Sequence, residues 1–131
     1  MTNKPRKLLS IQPNRELRGV LTDHKLASPG DSFINFAYSL ALSSKKGSPL
    51  GIKVKGSLLA EALRRAGLRE YLPARMTTHI LADAAEALIV YVWLLGLFSL
   101  EETVAILEQN DDPVDNLSRL LEKIKTRIKH S

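Results

Sequence analysis

Residues 78–89 read Thr78-His79-Ile80-Leu81-Ala82-Asp83-Ala84-Ala85-Glu86-Ala87-Leu88-Ile89. They open an apolar stretch whose periodicity predicts a helix from about Thr77 to Leu97. Ile80, Leu81, Ala84, Ala85, Leu88, Ile89, Val92, Trp93 and Leu95 fall around nearly its whole circumference. A helix that is apolar on every side has to be buried on every side. In a chain of 131 residues this makes it the central helix, with a second subunit as one source of cover. An ionised carboxylate does not belong in such a helix unless it is paired or holds a cation. Asp83 and Glu86 are three residues apart, so they project within about 60° of each other, one turn apart along the axis. Their repulsion is relieved by a hard cation such as Mg²⁺ or Mn²⁺, which takes oxygen ligands, or by arginines such as Arg75 or Arg64. His79 lies four residues before Asp83 on the same face. It is open to three roles: a third ligand, a hydrogen-bond partner of Asp83, or a helix-start residue.

Working outward, the upstream sequence predicts shorter helices. Asn14 is placed to cap a helix from about Arg15 to Leu26, and Ser28-Pro29-Gly30 has the chemistry of a turn. Asp31 or Ser32 then opens a helix to about Leu42, and Ser43 to Gly51 reads as a polar loop. Ile52 and Val54 alternate around Lys53, too briefly to define a strand. Ser57 begins a third helix, stopped at Gly67, and Leu68 to Leu72 forms a helical turn ended by Pro73. Downstream, Ser99 with Glu102 forms a capping box for a fifth helix to about Gln109. Asp112-Pro113 opens a sixth, amphipathic helix to about Lys129. Nothing points to a sheet or a second domain. The expected fold class is all-α, a single domain over 1–131 of about six helices, with residues 1–13 as a loosely ordered basic arm.

Composition narrows the function. An apolar fraction of 44% is enough for a core. The absence of cysteine excludes disulfides, thiolate metal sites and cysteine nucleophiles. The polar, basic start lacks the apolar segment of a signal peptide. The longest apolar run, Ala87 to Phe98, is too short to span a bilayer, which takes ~20 residues. A soluble, cytoplasmic protein is expected. The net charge of +5 is concentrated at the ends, in Lys4, Arg6, Lys7, Arg15 and Arg18, then Arg119, Lys123, Lys125, Arg127 and Lys129. Such a surface suits a polyphosphate partner and equally an ordinary solvated exterior. The lysines near Gly47 lack the ordered signature of a phosphate-binding loop. Ser32 and Ser57 have no recognisable His and Asp partners, and Phe33, Phe36, Tyr38, Tyr91, Trp93 and Phe98 sit at core spacing.

Two segments resemble a known family. Residues 78–89 are similar to the second signature of ribonuclease III nuclease domains, I-L-A-D-x-x-E-A-L-I. Residues 59–72, Leu59-Ala60-Glu61-Ala62-Leu63-Arg64-Arg65-Ala66-Gly67-Leu68-Arg69-Glu70-Tyr71-Leu72, resemble the family's L-A-x-x-A-x-x-x-G-L-x-x-Y-L. The first signature, E-x-x-E-F-L-G-D-S, aligns with His24-Lys25-Leu26-Ala27-Ser28-Pro29-Gly30-Asp31-Ser32, where only Gly-Asp-Ser survives. Asp31 matches the family's metal-binding aspartate, Ala27 stands where a glutamate is usual, and His24 replaces the earlier acid. The resemblance implies a short form with the nuclease domain alone and no double-stranded-RNA-binding domain. It further implies a homodimer that hydrolyses double-stranded or structured RNA with Mg²⁺ or Mn²⁺ held by Asp31, Asp83 and Glu86. The departures at His24 and Ala27 favour an alternative, a weakened or inactive relative that binds structured RNA. A third reading makes the carboxylates structural partners of arginines.

Overall fold

The structure is a computed structural model and describes residues 9–129. Among these, all regular secondary structure is helical. The helices are α1 (Leu17–Leu21), α2 (His24–Lys46), α3 (Gly56–Arg65), α4 (Thr78–Leu94), α5 (Leu100–Leu107) and α6 (Pro113–Lys129), with a 3₁₀ turn at Arg69–Tyr71.

The apolar stretch forms α4 at the centre. The Thr77 hydroxyl caps it by accepting from the Ile80 N–H at 3.2 Å. It ends at Leu94, three residues before the sequence-based limit. The chain turns out through Gly96 (φ 79°), and the Leu97 N–H returns to the Val92 carbonyl at 2.9 Å. Every residue from Ala84 to Val92 is buried. The cover comes from the chain's own helices, chiefly α2 and α3, with α1 and α6 also in contact. Burial of α4 therefore does not require the second subunit that its hydropathy suggested.

The largest departure lies upstream. Instead of one helix over 15–26, a five-residue α1 stops at Leu21 and a 23-residue α2 begins at His24. Asp23 makes the break. Its carboxylate accepts from the Lys25 N–H at 3.1 Å and pairs with Arg15 at 2.9 Å. Arg15, then the backbone N–H groups, hold its pKa below the usual carboxylate range. Asn14 does not cap a helix; it has φ 61° in a turn, and Glu16 occupies the N-cap position.

Ser28-Pro29-Gly30 is not a turn but lies within α2. Pro29 comes early in the helix, where its missing N–H leaves only the Lys25 carbonyl without its usual donor, and both residues are exposed to water. Gly30 serves a different purpose from a turn glycine. A Cβ there would overlap the Glu86 carbonyl oxygen and lie 2.6 Å from its carbonyl carbon. The bare backbone lets α2 press directly on α4.

Helix α2 also runs past Leu42 to Lys46, shortening the polar loop. Its side chains explain the alternation at Ile52 and Val54 without a sheet. Ser43 Oγ accepts from the Leu50 N–H at 3.0 Å, Ser39 Oγ from the Ile52 N–H at 2.9 Å, and Asn35 Oδ1 from the Val54 N–H at 2.7 Å. Four-residue steps along one helix face thus pair every second N–H of residues 50–54, as a neighbouring strand would.

Residues 1–8 of the expected basic arm lie outside the described residues. The rest is tied down: Tyr91 Oη donates to the Gln12 carbonyl at 2.9 Å, and Ile11 packs against the core. At the far end, Ser99 Oγ accepts from the Glu102 N–H at 3.0 Å, but the Glu102 carboxylate does not complete a capping box. It makes a bidentate pair with Arg127, at 2.7 Å for each bond. Arg127 also donates to the Leu97 carbonyl at 2.8 Å and lies over the Phe98 ring, joining α6 to the start of α5. Replacing Arg127 with methionine is expected to lower stability by roughly 1 kcal/mol, the size of a partly exposed charged hydrogen-bond pair. Urea unfolding monitored by circular dichroism checks it.

Candidate functional site

Two helices supply the carboxylates. Asp83 and Glu86 lie on consecutive turns of α4, and Asp31 follows the Gly30 contact on α2. All three line one open cavity of about 400 Å³, with His24, Ala27, Lys53 and His79 also in its walls.

Glu86 is 6% exposed. Burial first, and then the nearby Asp31 carboxylate, raise its pKa to about 8. Asp83 pushes in the same direction and the Lys53 ammonium opposes it. Burial and the neighbouring Asp31 carboxylate thus both favour the protonated form of Glu86. Asp31 is positioned from the other side by Asn35, whose Nδ2 donates to Oδ1 at 3.3 Å. The same Asn35 amide accepts from Val54 N–H, so one side chain ties the Asp31 carboxylate to the loop that carries Lys53.

Asp83 faces His79 at 3.5 Å, and among the described residues no arginine pairs with Asp83 or Glu86. Arg64 and Arg75, the sequence-based candidates for that pairing, are both exposed. His79 has 83% of its side chain in solvent, so its approach to Asp83 is a weak surface contact. Among the described residues, no three His, Cys, Asp or Glu side chains form a ready-made ligand cage. The cavity instead sets the Glu86 carboxyl beside the Asp31 carboxylate, with Asp83 on the same wall. Its donor set fits a hard divalent cation by chemistry, since all three acids offer oxygen. The cation would have to displace the Glu86 proton. Ala27 contributes only a methyl group, so water would supply that side.

Sequence reasoning missed Lys53 and the Asn35 link. Among the described residues, several of the cations singled out at the chain ends are engaged within the fold: Arg15 with Asp23, Arg119 with Asp115, Arg127 with Glu102, and Lys125 with the Gly67 carbonyl. Lys53, which lines the cavity itself, forms no ion pair among the described residues, and neither do Lys46 and Lys55.

Five helices packed round the buried apolar α4, with carboxylates drawn together where α2 crosses it, define an all-helical domain. A family model described as Ribonuclease III matches residues 24–129. The chain belongs to the ribonuclease III family. No curated protein matches it. Among the described residues no helix is long and apolar enough to cross a membrane.

Proposed function

We propose that this protein is a metal-dependent endoribonuclease that hydrolyses phosphodiester bonds in double-stranded or structured RNA. The observation that carries the reading is the convergence of Asp31, Asp83 and Glu86 in one open cavity of a ribonuclease III-family fold. Asp31, Asp83 and Glu86 would hold Mg²⁺ or Mn²⁺. When bound, that ion supplies Lewis acidity at the phosphate and a lowered pKa for coordinated water. Asn35 fixes the orientation of Asp31, and Glu86 would serve as a ligand in its deprotonated form. Lys53 offers a positive charge to the RNA backbone beside the cavity.

Incubation of the protein with duplex RNA and Mg²⁺ should give cleavage that EDTA abolishes. Asp83→Asn should slow it by roughly 100-fold or more, the kinetic equivalent of losing several kcal/mol of metal-assisted catalysis. Unchanged cleavage by Asp83→Asn, or cleavage in EDTA, would refute the reading. The methyl of Ala27 in the cavity wall favours a second reading, an RNA-binding relative without catalysis. It predicts salt-sensitive duplex binding with no cleavage in Mg²⁺ or Mn²⁺.

The active form is proposed as a homodimer in the cytoplasm. Phe36 is 55% exposed and, with Leu40, extends an apolar stripe on α2 from the half-buried Phe33, which stacks on Trp93 at 5.0 Å. A second copy is the partner that this stripe suits. Phe36→Asp should convert a dimer to a monomer in analytical ultracentrifugation, with the helical circular dichroism retained. A monomeric wild type would remove the dimer from the account.

A further inference from the structure

A second cleft of about 610 Å³ opens beside the carboxylate cavity, and Lys53 and Val54 form part of both walls. Its interior differs in character. Leu42, Ile52, Leu58 and Pro113 present half-buried apolar surface. Its rim carries Lys45, Lys46, Lys53 and Lys55. Lys45 is satisfied by Asp111 at 2.5 Å and the Asn110 carbonyl at 3.1 Å, and this pairing neutralises the cleft's one carboxylate. Lys46, Lys53 and Lys55 are exposed and form no ion pair among the described residues. The Asn35–Ser39–Ser43 hydrogen bonds hold residues 50–54 on α2, so the wall carrying Ile52 and Lys53 is fixed in place.

We propose that this cleft binds an unpaired nucleotide of the RNA, with the base against Leu42, Ile52 and Leu58 and the flanking phosphates on Lys46, Lys53 and Lys55. An apolar interior under a positive rim matches the two halves of a nucleotide, a flat base and an anionic phosphate. A base stacked within a duplex cannot enter a concave site, whereas a bulged or terminal base is free to leave the stack. The shared Lys53–Val54 wall puts this nucleotide next to the phosphodiester held at the carboxylates. The substrate class is thereby narrowed to duplex RNA interrupted or ended by an unpaired residue near the cut. The inference rests on the reading of the protein as an RNA nuclease.

The full-length, metal-free protein, isotopically labelled at its methyl groups, is titrated with adenosine 5′-monophosphate and, separately, with inorganic phosphate. Saturable shifts of the Leu42, Ile52 and Leu58 methyl signals are expected, with phosphate binding at least roughly tenfold more weakly, because it lacks the base contact. Leu58→Gln and Lys55→Glu should each weaken the nucleotide by a similar factor, with the buried Ile34 methyl signal reporting that the fold is kept. No nucleotide binding, equal affinity for phosphate, or shifts that avoid these methyls would overturn the inference. A second arm compares cleavage of two RNA hairpins, one fully paired and one with a single bulged nucleotide. The bulged hairpin should react at least about tenfold faster, and Leu58→Gln should bring the ratio toward one. Cleavage of both at equal rates overturns the cleft assignment and leaves the nuclease reading intact. If neither hairpin is cut or bound, the nuclease reading fails, and the nucleotide titration alone decides whether the cleft binds nucleotides.

Discussion

Gly30→Ala is expected to destabilise the protein by about 3 kcal/mol or more, because the added methyl group meets backbone and not a movable side chain. Its Cβ would overlap the Glu86 carbonyl oxygen and stand 2.6 Å from the carbonyl carbon and 3.0 Å from Cβ of the same residue. Relief requires separating α2 from α4, which form the most extensive helix–helix contact in the molecule. Domains of this size have only about 5–15 kcal/mol of stability in total, so the variant should melt some 10 °C or more below wild type. Any folded fraction should also lose activity, since the same displacement draws Asp31 away from Glu86. Gly19→Ala serves as the control. Its Cβ would meet only Arg15 Nη2, at 3.9 Å, and in a helix the exchange is neutral or stabilising by up to about 1 kcal/mol. A melting temperature for Gly30→Ala within a degree or two of wild type would show that the two helices are not in backbone contact.

The second large effect concerns pH. Glu86 has its pKa raised from 4.5 to about 8 in the folded chain, mainly by burial and then by Asp31. Below the lower value both folded and unfolded chains hold the proton, and its stabilisation is fully present. As pH rises the unfolded chain gives up this proton first. Stability should therefore fall from about pH 4.5 to about pH 8 in metal-free protein, then level off. At about 1.4 kcal/mol per unit the ceiling is near 5 kcal/mol, and a few kcal/mol is the expected loss once the open cavity admits water. Glu86→Gln imitates the protonated acid. It should remove this slope, making the variant the more stable of the two at pH 9 while abolishing metal-dependent cleavage. Saturating Mg²⁺ should restore the wild type at pH 8 to about its stability at pH 5, because the ion then offsets the carboxylate charge. Urea unfolding at pH 5, 7 and 9, with and without Mg²⁺, measures all three effects. A wild-type profile parallel to that of Glu86→Gln would mean that Glu86 is ionised throughout.

The central helix was legible from hydropathy because its apolar residues leave only one arrangement, full burial. α3, α5 and α6 were legible for a different reason: Gly67, Ser99 and Asp112 mark their ends with local chemistry. The α1–α2 region was not. Pro29-Gly30 has the local signature of a turn, and only contact with Glu86, 56 positions away in sequence, explains why a glycine stands there. Once that turn is assumed, Asp31 becomes the start of a helix, and no periodicity links it to α4. It entered the candidate site solely through the Gly-Asp-Ser resemblance. Lys53 was hidden because its position depends on Asn35, Ser39 and Ser43 supplying partners to a segment without a regular fold. Their spacing of four residues opposite the alternating Leu50, Ile52 and Val54 was the available signal. Asp83 and Glu86 needed least help, since two acids one turn apart in a buried helix are anomalous on any reading.

The most direct test of the carboxylate site is isothermal titration of the metal-free protein with Mn²⁺ at pH 6 and pH 8, in buffers of different ionisation enthalpy. Saturable binding of about one ion per chain is expected, tighter at pH 8, with a proton released at pH 6 as Glu86 gives up its hydrogen. Asp83→Asn and Glu86→Gln should each weaken it at least tenfold. Absence of saturable binding, or binding that survives both substitutions unchanged, would contradict the assignment of Asp31, Asp83 and Glu86 as a metal centre.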